Sequence, residues 1–204
     1  AVRAAAFAAF ALAAVAGITL VALSRTWWML AVGAACLPAA WCYTGGRKPY
    51  GYRGLGEIFV FIFFGLVAVL GTTYTQAGRI SATALGAAIG IGALACAILV
   101  ANNLRDIPTD AASGKRTLAV RLGDVRTRWL YASLIALAGL VLLPMLPFHP
   151  WAALTLLALP LGLRPLRVIL GGATGEPLVA ALRVTGRLEL AYGLLLGLSL
   201  GLGR

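Results

Sequence analysis

Asn102, Asp106 and Asp110 recur at four-residue spacing in the stretch ANNLRDIPTDAASGKRTLA, residues 101–119. On a helix that spacing sets three side chains along one face. Two carboxylates and an amide oxygen are hard ligands of the kind that suits Mg²⁺, which takes one or two carboxylates and completes its shell with water and phosphate oxygens. Arg105, Lys115 and Arg116 share the stretch, and guanidinium forks and an ammonium can hold phosphate oxygens that a metal leaves free. The mixture of signs fits a metal-bridged diphosphate. The plain alternative is a solvated charge cluster that orients a loop, although acids contribute little to orientation. Pro108 falls within the spacing; a proline removes a helical hydrogen bond and crowds the preceding turn, so a kink, or an end near Ile107, is expected.

The elements that position these residues are membrane helices. Hydrophobic residues make up 61% of the 204-residue chain and charged ones 11%. The mean hydropathy is +0.95, far outside soluble globular composition. Apolar runs near 2–23, 27–44, 57–77, 81–101, 128–147, 151–170 and 185–203 are each near the length that crosses a hydrocarbon core about 30 Å thick. Backbone polar groups must be satisfied internally in lipid, so the runs read as seven helices of an all-α transmembrane bundle forming a single domain over 1–204. The opening AVRAAAFAAFALAAVAGITLVALS has no small-residue cleavage site after a short apolar core, and reads as a spanning helix rather than a signal peptide.

The net charge of +11 could suggest nucleic acid, but Lys and Arg occur in short clusters between apolar runs with little aromatic interleaving. The membrane surface is the better partner. With seven spans, all Lys and Arg except Arg25, Arg79 and Arg204 fall on one side, which the positive-inside rule assigns to the cytoplasm. Glu57, Asp106, Asp110, Asp124 and Glu176 gather on that same side. Cys36, Cys42 and Cys96 sit in apolar runs without CxxC spacing and read as buried small hydrophobes rather than metal ligands. Trp27, Trp28 and Trp151 fall at span ends on the outer side and read as an interfacial belt.

The run from Asn102 to Asp110, continued as ASGKRTLAVRLGD to Asp124, resembles the second aspartate-rich motif of the UbiA superfamily of membrane prenyltransferases. GGRKPYGYRGLGEIFVFIFFGLVAVLGTTY, residues 45–74, is similar to the MenA branch of that superfamily, the 1,4-dihydroxy-2-naphthoate polyprenyltransferases of menaquinone biosynthesis. The resemblance implies nine helices around a central cavity, with two aspartate-rich motifs holding Mg²⁺ and a polyprenyl diphosphate at the cytoplasmic side of a bacterial plasma membrane. Seven spans and only the second motif are present here, and residues 1–44 contain no Asp or Glu. The expectation is therefore that the first two helices and the first motif lie outside this sequence.

The resemblance also implies the reaction: Mg²⁺-dependent transfer of a polyprenyl group from polyprenyl diphosphate to 1,4-dihydroxy-2-naphthoate, forming demethylmenaquinone with loss of CO₂ and diphosphate. Asp106 and Asp110 are the expected metal ligands, with Asn102 auxiliary, and Arg105, Lys115 and Arg116 the diphosphate contacts. In the loop GGRKPYGYRGLGE, Arg47, Lys48 and Arg53 would meet diphosphate or the acceptor's carboxylate. Tyr50 or Tyr52 would pack on the acceptor ring or stabilise a developing cation. The competing view of that loop is a basic turn with interfacial tyrosines. Glu57 is expected to position the loop by pairing with its cations. Glu189 is ionisable within a span and so a functional candidate, with snorkelling or pairing to Arg183 or Arg187 as the alternative; His149 reads as structural or solvated. Rival functions are a prenyltransferase with 4-hydroxybenzoate, homogentisate or a porphyrin as acceptor, and a transporter or non-catalytic scaffold. Transport sites favour the bilayer midplane, whereas nearly all charge here lies at one edge.

Overall fold

The computed structural model describes residues 2–46 and 49–202, without the side chain of Arg3. Seven helical segments match the seven apolar runs: α1 (Val2–Ser24), α2 (Met29–Thr44), α3 (Gly56–Ala77), α4 (Ala82–Ala112), α5 (Leu118–Leu140), α6 (Pro150–Leu170) and α7 (Glu176–Leu202). Five of the seven, α1 and α3 to α6, are long and apolar enough to cross a membrane. With 16 residues, α2 is shorter. The helix α7 has the length but carries Arg183, Arg187 and Glu189 in its central part.

The centre of the bundle is α4, which packs chiefly on α5, α3 and α7. It does so through small residues: Ala88, Ala93 and Ala97 are fully buried. Where α3 crosses α4, a Cβ on Gly65 would stand 2.7 Å from Gly92 Cα. Glycine on both helices allows this approach, and close backbone packing replaces the hydrophobic driving force that lipid does not supply. At that crossing α3 is a π-helix over Phe61–Leu70, a wide winding that is rare and frequent at functional sites. The helix α1 is peripheral, touching α2 through Phe7 stacked on Trp41 at 5.1 Å. Its Leu12, Val15 and Leu23 are exposed.

Two expectations change. Pro108 does not end α4: the helix continues through Pro108 to Ala112. Pro108 lies on the exposed face of the helix. The break comes instead in α5, where Gly123 is non-helical (φ 75°, ψ 173°), a left-handed region that costs glycine little. Of the cysteines, only Cys96 is buried; Cys42 is exposed because α2 buries none of its residues. All three thiols are free. The tryptophans agree with an interfacial belt, Trp27, Trp28 and Trp151 all being exposed.

The polar loops gather at one end of the bundle. Arg116 N–H donates to the Tyr52 carbonyl at 2.9 Å, tying the α4–α5 loop to the turn before α3. Buried Arg128 on α5 forks onto Asp124 at 2.6 and 2.7 Å and donates to the carbonyls of Ile169 and, at 3.0 Å, Ala173. That joins the start of α5 to the end of α6.

Candidate active site at the polar end of the bundle

Because α4 stays helical past Pro108, Asn102, Asp106 and Asp110 remain on successive turns of one helix. Asn102 Nδ2 donates to Asp106 Oδ2 at 3.3 Å. Arg105 closes on both residues: Nε reaches Asp106 Oδ1 at 2.7 Å, and Nη2 donates to Asp106 Oδ2 at 2.8 Å and to Asn102 Oδ1 at 2.9 Å. One turn further on, Asp110 is buried and receives Lys115 Nζ at 3.2 Å. The α4–α5 loop makes this meeting obligatory, since Lys115 N–H also donates to the Asp110 carbonyl at 2.9 Å. The acids chosen for metal and the cations chosen for phosphate are therefore paired with each other. A ligand carrying both charges would exchange these partners.

The turn before α3 supplies the roof. Lys115 Nζ lies 4.8 Å from the Tyr52 ring centroid, within cation–π reach. The hydrogen bond to Asp110 and its charge hold the Lys115 ammonium above the ordinary lysine pKa, so it is protonated at neutral pH. Gly54 takes a left-handed φ of 75°, and a Cβ there would lie 2.9 Å from Arg121 Nε. Arg121 in turn donates to the Arg116 carbonyl at 3.1 Å. Arg53 and Arg116 have exposed side chains at this rim. Arg47 and Lys48 lie outside the described residues.

Tyr50 goes elsewhere. Its hydroxyl donates to the Ala39 carbonyl on α2 at 2.6 Å, and its ring stacks on Phe59 at 4.0 Å. Burial raises its pKa, keeping the phenol neutral. It lines an apolar cavity of about 580 Å³ with Tyr43, Phe59, Phe63 and Phe64. Glu57 does not pair with loop cations among the described residues. It is buried, and Asn103 Nδ2 donates to its Oε1 at 2.9 Å. Asn103 was missed in the sequence; its only signal is its place beside Asn102, and which asparagine faces α3 follows from packing.

A second cavity, of about 360 Å³, opens beside Asn102, walled by α3, α4 and α7 with Glu189 also among its lining residues. The donor set can be tested against Mg²⁺. Among the described residues no three His, Cys, Asp or Glu converge, so an all-protein cage is not built. Two carboxylates and one amide match the sparse set Mg²⁺ accepts when water and phosphate complete its shell.

A helical bundle with paired carboxylates and cations at its polar end, beside apolar cavities, has the form of a membrane protein with a polar site at the bilayer edge. The chain belongs to the UbiA prenyltransferase family, whose model matches residues 2–177. It is thus an integral membrane protein whose family is one of prenyltransferases. It is similar to the 1,4-dihydroxy-2-naphthoate octaprenyltransferase of Mycobacterium tuberculosis, 51% identical over 98% of this chain and 68% of the relative. The Escherichia coli protein of the same description is 42% identical over 69% of this chain and 47% of the relative. That of Bacillus subtilis is 30% identical over 96% and 63%. No solved structure matches the chain.

Proposed function

We propose that the protein transfers a polyprenyl group from polyprenyl diphosphate to 1,4-dihydroxy-2-naphthoate in menaquinone biosynthesis, at the cytoplasmic face of a bacterial plasma membrane. The observation that carries this reading is the interlocked array of Asn102, Arg105, Asp106, Asp110 and Lys115 beside two apolar cavities. The likeness to dihydroxynaphthoate octaprenyltransferases supports the choice of acceptor.

Asp106 and Asp110, with Asn102 as auxiliary, would hold Mg²⁺, and Arg105, Lys115, Arg116, Arg53 and the undescribed Arg47 and Lys48 would hold the diphosphate. Mg²⁺, when bound, stabilises the negative charge that develops on departing diphosphate. Arg105 and Lys115 add fixed positive charge at the same oxygens as the allylic C–O bond breaks and its electron pair leaves with diphosphate. The isoprenoid chain stays in the aromatic cavity of Tyr43, Tyr50 and Phe59, where apolar walls exclude water from the allylic cation. Tyr52, under Lys115, borders the point where cation and acceptor meet. The ring attacks to form the new C–C bond, and the acceptor's carboxylate leaves as CO₂.

The test is an assay of membranes containing the protein, expressed from its complete reading frame, with labelled polyprenyl diphosphate and each acceptor separately. Labelled prenylated naphthalenediol is expected from dihydroxynaphthoate. Product only from 4-hydroxybenzoate, homogentisate or a porphyrin would overturn the acceptor assignment; product from none would overturn the activity.

A further inference from the structure

Glu189 occupies the middle of α7, a costly place for a carboxylate unless it has a partner or a task. Neither alternative partner holds it: Arg183 and Arg187 lie on the exposed face of the helix. The ion pairs of the described residues are those of Arg105, Lys115 and Arg128. Among the described residues no hydrogen bond reaches the Glu189 carboxylate either. Glu189 is instead half-buried on the face it shares with Leu182, and both residues line the cavity of about 360 Å³ against α3 and α4.

That cavity is chemically asymmetric. Its walls are apolar, formed by residues such as Phe64, Ile98 and Leu99, and Asn102 and Glu189 are its polar groups. Asn102 accepts from Arg105 at 2.9 Å and donates to Asp106 at 3.3 Å, so its end adjoins the Arg105–Asp106 ion pair. Glu189 presents carboxyl oxygens that accept a hydrogen bond in either protonation state. Phe64, in the π-helical region of α3, and Val60 just before it also wall the larger aromatic cavity, so the two spaces meet at one partition. The larger is lined by tyrosines and apolar groups and suits an isoprenoid chain. The smaller, with an amide at one end and a carboxyl at the other, suits a compact aromatic bearing a hydroxyl, and its volume lies within the range of small-molecule sites.

We propose that Glu189 binds the aromatic acceptor by accepting a hydrogen bond from its ring hydroxyl, and so is a specificity-determining residue for hydroxyaromatic acceptors. This rests on the prenyltransferase reading above. A carboxyl at this point rewards a hydroxyl and is left unpaired by an analogue that lacks one, the arrangement by which polar sites discriminate most strongly.

The experiment is steady-state kinetics in membranes, varying acceptor and polyprenyl diphosphate separately, for wild type, Glu189→Gln and Glu189→Ala expressed from the complete reading frame. A ring-hydroxyl methyl ether of the acceptor is the second probe. Glu189→Ala is expected to raise acceptor KM by roughly tenfold or more and leave the diphosphate KM within about twofold. Glu189→Gln, which keeps an acceptor oxygen at the same reach, is expected to recover part of the loss. The methyl ether should suffer with wild type and lose its disadvantage with Glu189→Ala. An unchanged acceptor KM in active Glu189→Ala, or an equal rise in both KM values, overturns the assignment while leaving the enzyme's function intact. Should Glu189→Ala fail to accumulate, Glu189→Gln with the methyl ether decides: equal discrimination against the ether in Gln and wild type supports the hydrogen bond, and wild type that does not discriminate overturns it. Wild type inactive with every acceptor overturns the proposed function, and this role with it.

Discussion

Arg105 grips Asp106 with a two-point fork, 2.7 Å from Nε to Oδ1 and 2.8 Å from Nη2 to Oδ2, and uses the same Nη2 to hold Asn102. A neighbour in sequence thus serves as counter-ion to the carboxylate and as brace for the amide. Charge neutralisation by Arg105, and by Lys115 at Asp110, keeps the two acids tolerable at the edge of an apolar bundle until a ligand of mixed charge exchanges with these partners.

From that pairing, Asp106→Ala and Asp110→Ala should each lower turnover roughly 100-fold or more at saturating Mg²⁺, since each removes one of two carboxylates. Near-normal turnover in either variant would remove it from the metal assignment. Arg105→Lys should also fail to substitute, raising KM for polyprenyl diphosphate by roughly tenfold, because an ammonium cannot reproduce the planar fork.

Arg128 should matter for stability rather than chemistry. Its guanidinium, 6% exposed, satisfies Asp124 and two carbonyls at the end of α6. Arg128→Met should cost about 1–3 kcal/mol for each carbonyl left buried without a donor, read as a lower unfolding midpoint in detergent. An unchanged midpoint would mean that water replaces the arginine.

Gly65 is limited by its neighbour across the helix crossing. A Val there places new atoms against Gly92 Cα, 2.7 Å from the added Cβ, and overpacking of this kind costs typically about 1–3 kcal/mol. Gly65→Val should reduce the yield of folded protein and its thermal midpoint, whereas Gly17→Val on the periphery, with nothing within 4 Å, should leave both near wild type.

Lys115 makes a pH prediction whose sign follows from its pKa. The folded-state value is raised by Asp110, so the pairing stabilises the folded loop fully below the ordinary lysine value of about 10.4 and is lost as pH rises through the raised value. Hydrogen exchange of the 113–117 amides should therefore show docking unchanged from about pH 6 to 9 once corrected for intrinsic rates, and weakening only in strong alkali. Lys115→Met should weaken docking throughout about pH 6 to 9. Alkaline loss beginning near neutrality would contradict the pairing.

Much of this protein is legible in its sequence because lipid imposes a simple rule. Unsatisfied backbone is intolerable in hydrocarbon, so the apolar runs had to be helices, and the seven runs and seven helical segments agree. The spacing of Asn102, Asp106 and Asp110 likewise located the polar array, since helical periodicity alone carries them to one face. Packing decided what periodicity could not. Pro108 lies inside an unbroken α4, and Gly123 rather than Pro108 marks the interruption. Tyr50 and Tyr52 are two residues apart, yet the turn before α3 sends one to α2 and the other beneath Lys115. Among the described residues Glu57 pairs with Asn103 and with no loop cation. Each outcome depends on which helix lies opposite, and contacts between residues far apart in the chain leave no local signature. Sequence by itself determined the elements and the chemistry they carry; the close crossing of small-residue helices decided which side chains meet.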